Sequence, residues 1–175
     1  MGEASILKRG INSKMNMWQL GAKFTKSWQL AKKTYFGVQS QGLLRYPFEQ
    51  PFINSQLFGY GDFYLRGLER YVIDGVAGAM LRQTIRQELL HFEVPVPIRS
   101  RTHGKVPFRV YAKAFADAGY AYNKSFPDNS LTNRMLYTAG AGIDVTTFYD
   151  FVLRIDYSFN QLGQNGVFLH LKNEF

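Results

Sequence analysis

The sequence predicts an all-β protein: an antiparallel transmembrane β-barrel segment of about eight strands, with one long loop between the third and fourth. Three observations lead there. Apolar and polar residues alternate with a period of two in eight separate segments, as side chains do across a strand. Most of these segments exceed the roughly 5–6 residues of an average strand, and they suit the roughly 9–11 residues of a tilted strand crossing a bilayer. The connections alternate between short ones, as at 145–148, and longer polar ones, as at 123–133 and 160–165.

The pattern is clearest near the C-terminus. Tyr149, Phe151, Leu153, Ile155, Tyr157 and Phe159 share one parity, while Asp150, Val152, Arg154, Asp156 and Ser158 share the other. The final segment repeats it, with Val167, Leu169, Leu171 and Phe175 opposing His170, Lys172 and Glu174, and with Asn173 as a polar intruder on the apolar side. Upstream, Phe108, Val110, Ala112, Ala114, Ala116 and Ala118 oppose Arg109, Tyr111, Lys113, Phe115, Asp117 and Gly119. In 135–145 Met135, Tyr137, Ala139, Ala141, Ile143 and Val145 alternate with Leu136, Thr138, Gly140, Gly142 and Asp144. In 76–89 Leu81, Ile85 and Leu89 oppose Arg82, Thr84, Arg86 and Glu88. Segments 33–46 and 15–28 alternate more weakly, and residues 3–10 supply one further strand.

Composition bounds the alternatives. Of the 175 residues, 46% are hydrophobic and 19% charged, which excludes intrinsic disorder. Cysteine is absent, so there is no disulfide, thiol nucleophile or thiolate metal site. No run approaches the roughly 18 apolar residues of a membrane helix, but a barrel hides its spans in alternation. A soluble sandwich or ligand-binding barrel would show the same alternation with its apolar face turned into a core. A terminal aromatic, Phe175, closing an alternating strand resembles the C-terminal insertion signal of bacterial outer-membrane barrels, and that resemblance tips the reading toward the membrane.

The loop over 47–75 is the longest connection, and it is rich in Phe, Tyr and Gly, unlike a solvated linker. Long loops without regular structure are usually functional, and this one is expected to pack against something. It contains Leu65-Arg66-Gly67-Leu68, and two strands later stands Phe115-Ala116-Asp117-Ala118-Gly119. In this order and parity the chain resembles the outer-membrane assembly and translocation barrels of the BamA, TamA and two-partner secretion type, the bacterial surface antigen family. The tetrad is similar to that family's Val/Leu-Arg-Gly-Phe/Tyr motif on a loop folded into the barrel lumen. The second segment fits its Phe-x-Asp-x-Gly motif, and Glu88 sits where the family carries an inward glutamate. Leu68 departs from the family pattern, where an aromatic is usual, and Asn173 weakens the match to the C-terminal insertion signal formed by Val167, Leu169, Leu171 and Phe175.

The resemblance implies a single domain over 1–175, the C-terminal half of a barrel of roughly sixteen strands, with the loop folded inward. The N-terminus lacks the features of a secretory signal, which this reading takes as a chain that begins within a longer protein. An alternative is a small self-closed eight-stranded outer-membrane barrel with a structural or adhesive role. The implied function is insertion of outer-membrane proteins, or secretion of a partner protein, at the bacterial outer membrane. Expected partners are outer-membrane lipid, unfolded outer-membrane or secreted proteins, and periplasmic accessory proteins.

The physical reading of the motif residues is an anchor. Asp117 and Glu88 both fall on the polar parity of their strands, so Arg66 on an inward loop could meet both, with its fork bidentate on one of them. No enzymatic activity, cofactor or metal is expected. The chain lacks G-x-S-x-G, G-x-x-x-x-G-K and H-E-x-x-H, and His91, His103 and His170 lie on separate segments. Twenty-one Lys and Arg against thirteen Asp and Glu would suit nucleic acid. They are interleaved with carboxylates on strand faces, however, so nucleic acid is not an expected partner and the basic excess reads as the lining of a lumen.

Overall fold

The computed structural model describes residues 1–10, 16–95, 105–124, 130–147 and 151–173. Eight long strands follow the alternating segments: β1 (Gly2–Arg9), β2 (Met17–Ala31), β3 (Thr34–Tyr46), β6 (Ala77–Pro95), β7 (Lys105–Tyr122), β8 (Met135–Thr146), β9 (Phe151–Asn160) and β10 (Asn165–Asn173). They form one antiparallel sheet in the order β1-β2-β3-β6-β7-β8-β9-β10. Each strand pairs antiparallel with the next long strand in the chain. The sheet does not close. β1 and β10 are its two edges, where a self-closed eight-stranded barrel would require them to pair.

Two strands run well past the alternating stretch that predicted them. β6 extends to Pro95 and β7 begins at Lys105, pairing along eighteen registered positions. A bulge between Glu88 and Leu90 resets the parity there. The extra residue explains why Leu89 and Leu90, neighbours in sequence, are both exposed. Phe92 and Phe108, paired beyond the bulge, stack at 5.5 Å.

Residues 47–75 are not structureless. A 3-10 turn (Phe52–Asn54) leads into a two-stranded ribbon of β4 (Gln56–Phe58) and β5 (Ile73–Asp74). The ribbon carries Leu57, Phe58, Phe63, Leu65, Leu68 and Ile73 onto Met80, Ala121 and Leu136 of the sheet. That cluster is the apolar core, and it lies between the loop and one end of one sheet face. Gly78 and Gly119 make the contact possible. A Cβ at Gly78 would sit 2.4 Å from a Leu57 methyl, and one at Gly119 would sit 2.8 Å from a Leu65 methyl.

The two sheet faces differ in polarity and in cover. The face beneath the loop buries Lys113, Asp117, Thr138, Asp144, Asp156 and Ser158. The opposite face is bare and apolar: Val167, Leu169 and Leu171 are 64–65% exposed, while Asp117 and Asp156 are 3% and 2% exposed. Ile85, Ile143, Ile155, Phe24 and Trp18 belong to the same bare surface. Most soluble monomers keep contiguous apolar patches to a few hundred Å².

Residues from β2, β3, β6, β7, β8, β9 and β10 line one cavity of about 520 Å³ on the loop side. In a flat sheet β2 and β10 would stand about 29 Å apart at the usual strand spacing. Their sharing a cavity means that the sheet curls around this face. Truncating the core contact by Leu136→Ala is expected to cost about 2–5 kcal/mol in urea unfolding. A cost as small as that of a surface substitution would show that loop and sheet are not packed as described.

Candidate functional site: an arginine lock between loop and sheet

The site begins with a turn. The Leu68 N–H donates to the Leu65 carbonyl at 3.0 Å, and Gly67 sits at φ 84°. A positive φ at the third position is what a type II turn requires, and glycine adopts it without steric cost. Gly67 also lies close against β9, where a Cβ would fall 2.9 Å from the Ser158 Cβ. The turn points its two leucines into the core, with Leu65 and Leu68 1% and 2% exposed, and points Arg66 along the sheet.

Arg66 is held from every side. Its Nε donates to Asp117 Oδ2 at 2.9 Å and its Nη2 to Oδ1 at 2.5 Å, a bidentate pair. Its own backbone N–H donates to Oδ2 at 3.1 Å. The remaining donors reach Thr84 Oγ1 at 2.9 Å and the Gln83 carbonyl at 3.2 Å. The guanidinium lies 4.1 Å above the Phe115 ring. Each residue of the Phe-x-Asp-x-Gly segment thus has a task. Phe115 is the floor, Asp117 the counter-charge, and Gly119 the space for Leu65.

Glu88 is not part of this lock, which corrects the expected triad. Its carboxylate faces Lys33 Nζ at 3.6 Å, and its N–H donates to the Lys33 carbonyl at 2.8 Å. Glu88 lies on the same face as Thr84, as its parity predicts, but four residues of strand separate the two, about 13 Å. Of the C-terminal signal residues, Val167, Leu169 and Leu171 project from the bare face, while Phe175 lies outside the described residues.

Two further groups were not singled out from the sequence. Lys113 is buried between Asp144 at 2.6 Å and Asp156 at 2.8 Å, and Asp144 also lies 3.9 Å from Arg154. Gly142 makes room for the Asp156 carboxylate, which a Cβ would approach to 2.2 Å. Gly140 does the same for the Phe115 ring. The signal was present as opposite charges of inward parity on neighbouring strands, but pairing them needs the register.

The other group ties the loop to the last hairpin. Glu69 meets His170 of β10 at 2.7 Å, with Tyr64 stacked on the imidazole at 6.4 Å. Tyr71 donates to Gln164 at 2.6 Å, and Asn160 donates to the Gly67 carbonyl at 3.0 Å. Arg82 of β6 donates to the Tyr64 carbonyl and lies 4.2 Å over its ring. Burial pushes the Glu69 carboxyl above its ordinary value, and the neighbouring His170 opposes the rise.

Chemically this arrangement positions a loop. Among the described residues no three of His, Asp and Glu converge as a metal site would need. Two outcomes test the lock. Removing one partner by Arg66→Ala or Asp117→Ala strands the other charge and is expected to cost about 3–5 kcal/mol. It should also open 47–75 to proteolysis, and Arg66→Lys should restore little because it cannot bridge both oxygens. Equal protease resistance of native and Arg66→Ala chains would remove the lock from the account.

The raised Glu69 carboxyl also sets a pH dependence. The folded state holds this proton to higher pH than the unfolded state, so its contribution to stability falls as pH rises from the ordinary carboxyl value to the raised one. Glu69→Gln should flatten that fall, read as the urea midpoint across acidic pH. An unchanged profile would count against it. Comparison with protein-family models, characterised proteins and solved structures finds no match to this chain.

Proposed function

We propose that the chain contributes about eight strands, the C-terminal half, to an outer-membrane barrel of the assembly and translocation type. It would act without catalysis, in the insertion of outer-membrane proteins or the secretion of a partner protein. The observation that carries this reading is the combination of an inverted sheet with an arginine-locked loop. The apolar face is bare, and the polar face is covered by a loop whose Leu-Arg-Gly-Leu turn is pinned to Phe-x-Asp-x-Gly.

The bare face has the dimensions of a bilayer. Trp18 and Trp28 project from it ten residues apart on β2, about 33 Å along the strand. A tilt near 40° projects this to about 25 Å, the height of the apolar band in outer-membrane barrels. Tyr46 pairs with Trp18 and Phe36 with Trp28, so each level carries an aromatic pair, as the interfacial girdles do. The two free edges support placing these strands within a larger barrel rather than a self-closed one.

In this reading the loop braces the barrel wall from within the lumen. A soluble sandwich would need its apolar face covered, and here the loop covers the polar one. Reconstituted in vesicles of brominated phosphatidylcholine, the chain should show quenched fluorescence from Trp18 and Trp28. It should also speed the insertion of an unfolded outer-membrane protein, and Arg66→Ala should abolish that gain while the quenching persists. A chain that is folded, monomeric and unquenched without detergent would overturn the membrane reading. A quenched chain with no effect on insertion would overturn the assembly role.

A further inference from the structure

The chain's positive charge is unevenly placed. Residues 1–46 hold eight Lys and Arg and one acid, Glu3, while the rest of the chain is nearly balanced with thirteen bases and twelve acids. The excess therefore belongs to β1–β3, away from the Arg66 lock. Some of it is spent at the surface. Lys8 lies over Trp18 at 4.4 Å on the bare face, and Lys33 faces Glu88.

Arg45 is different. It lies on the loop side of β3 and is 9% exposed, yet no carboxylate pairs with it among the described residues. Its Nε donates to Gln19 Oε1 at 2.9 Å and its Nη1 to the Gly75 carbonyl at 3.1 Å, both neutral acceptors. The charge that acts on it is a second cation, Arg9. Asp74, on the ribbon, takes the Tyr60 hydroxyl at 3.4 Å instead. The segment 10–16 contains no acid. A buried charge without a counter-charge is costly, and proteins normally pair it.

Arg45 and Arg9 line a cleft of about 270 Å³ together with Gln19, Gln41 and Tyr60. Gln41 also lines this cleft, and its Oε1 is buried with no donor. A buried guanidinium without a counter-charge and the exposed guanidinium of Arg9 thus border one space.

We propose that this cleft binds a phosphate group, carried either by a soluble phosphate monoester or by a lipid headgroup. A phosphate monoester carries close to two negative charges at neutral pH, matching two cations, and its oxygens suit the forked guanidinium. A monocarboxylate would neutralise only one of them. The cleft lies at the Trp18–Tyr46 end of the sheet, where an aromatic level marks one rim of the bare face.

The test is calorimetry on the whole chain folded in zwitterionic detergent, with glycerol phosphate, inorganic phosphate and acetate as separate titrants. Vesicles of phosphatidylcholine with or without phosphatidic acid form the second arm. Binding of glycerol phosphate is expected, weakened about tenfold or more by Arg45→Gln and unchanged by Lys8→Gln. Binding only to vesicles that contain phosphatidic acid, with the same loss in Arg45→Gln, assigns the headgroup as the source. Should Arg45→Gln not fold, side-chain amide resonances of Gln19 and Gln41 in the native chain must still shift on phosphate titration. No binding in either arm, equal binding of acetate, or phosphate binding with those amides unmoved would overturn the site.

Discussion

The Arg66–Asp117 pair is the constraint on which the arrangement of this molecule depends. It joins the loop at 47–75 to the middle of a sheet whose loop-side face is apolar at one end and polar beyond it. Paired charges away from water stabilise little relative to apolar packing, but breaking one side of them is expensive, so they fix position more than they add stability. Here position is fixed three ways, by the bidentate fork, by the Arg66 backbone N–H, and by Phe115 beneath the guanidinium. The Gly67 turn then delivers Leu65 and Leu68 into the core on either side of the arginine.

From this lock the loop divides the covered face into two zones. Toward one end, Leu57, Phe58 and Leu65 meet Met80, Ala121 and Leu136 in an apolar contact that glycines at 78 and 119 allow to be close. Toward the other end the face stays polar, with Lys113 held between two aspartates and Arg86 set over Tyr35 and Tyr111. Beyond the lock the loop runs on to β10, through Glu69 and His170, so one segment spans from β6 and β7 to the sheet edge. A strand edge is the least supported part of any sheet. The loop that is pinned at the centre therefore also steadies the periphery.

Much of this was legible in the alternation. The eight strands and the inward parity of Asp117 follow from where polar residues fall in period two, while the pairing of Arg66 with Asp117 also needed the resemblance's inward-folded loop. What alternation reports is the face of a sheet, never the height along it. Glu88 shares the face of the lock but sits about 13 Å beyond Thr84, and only the depth to which the loop enters decides which carboxylate it meets. Lys113, Asp144 and Asp156 were invisible as a group for a related reason. Their convergence depends on the registers of β7 with β8 and of β8 with β9. The ribbon of β4 and β5 escaped because two- and three-residue strands carry no period at all.

The same distinction between face and height bears on the charge. A net charge of +8 read as a whole suggested a basic lumen lining. Placed on the fold, the cations of the loop and of the loop-side face of β6–β9 are largely engaged with carboxylates or aromatic rings: Arg66 and Lys113 with aspartates, Arg82 and Arg86 with tyrosines. The imbalance lies in the first three strands, where Arg45 is buried among neutral acceptors beside Arg9. A sheet that neutralises its central charges internally and leaves one buried arginine unmatched near its edge directs the demand for an anion to that cleft. Net charge gives the size of this demand, and only the fold gives its address.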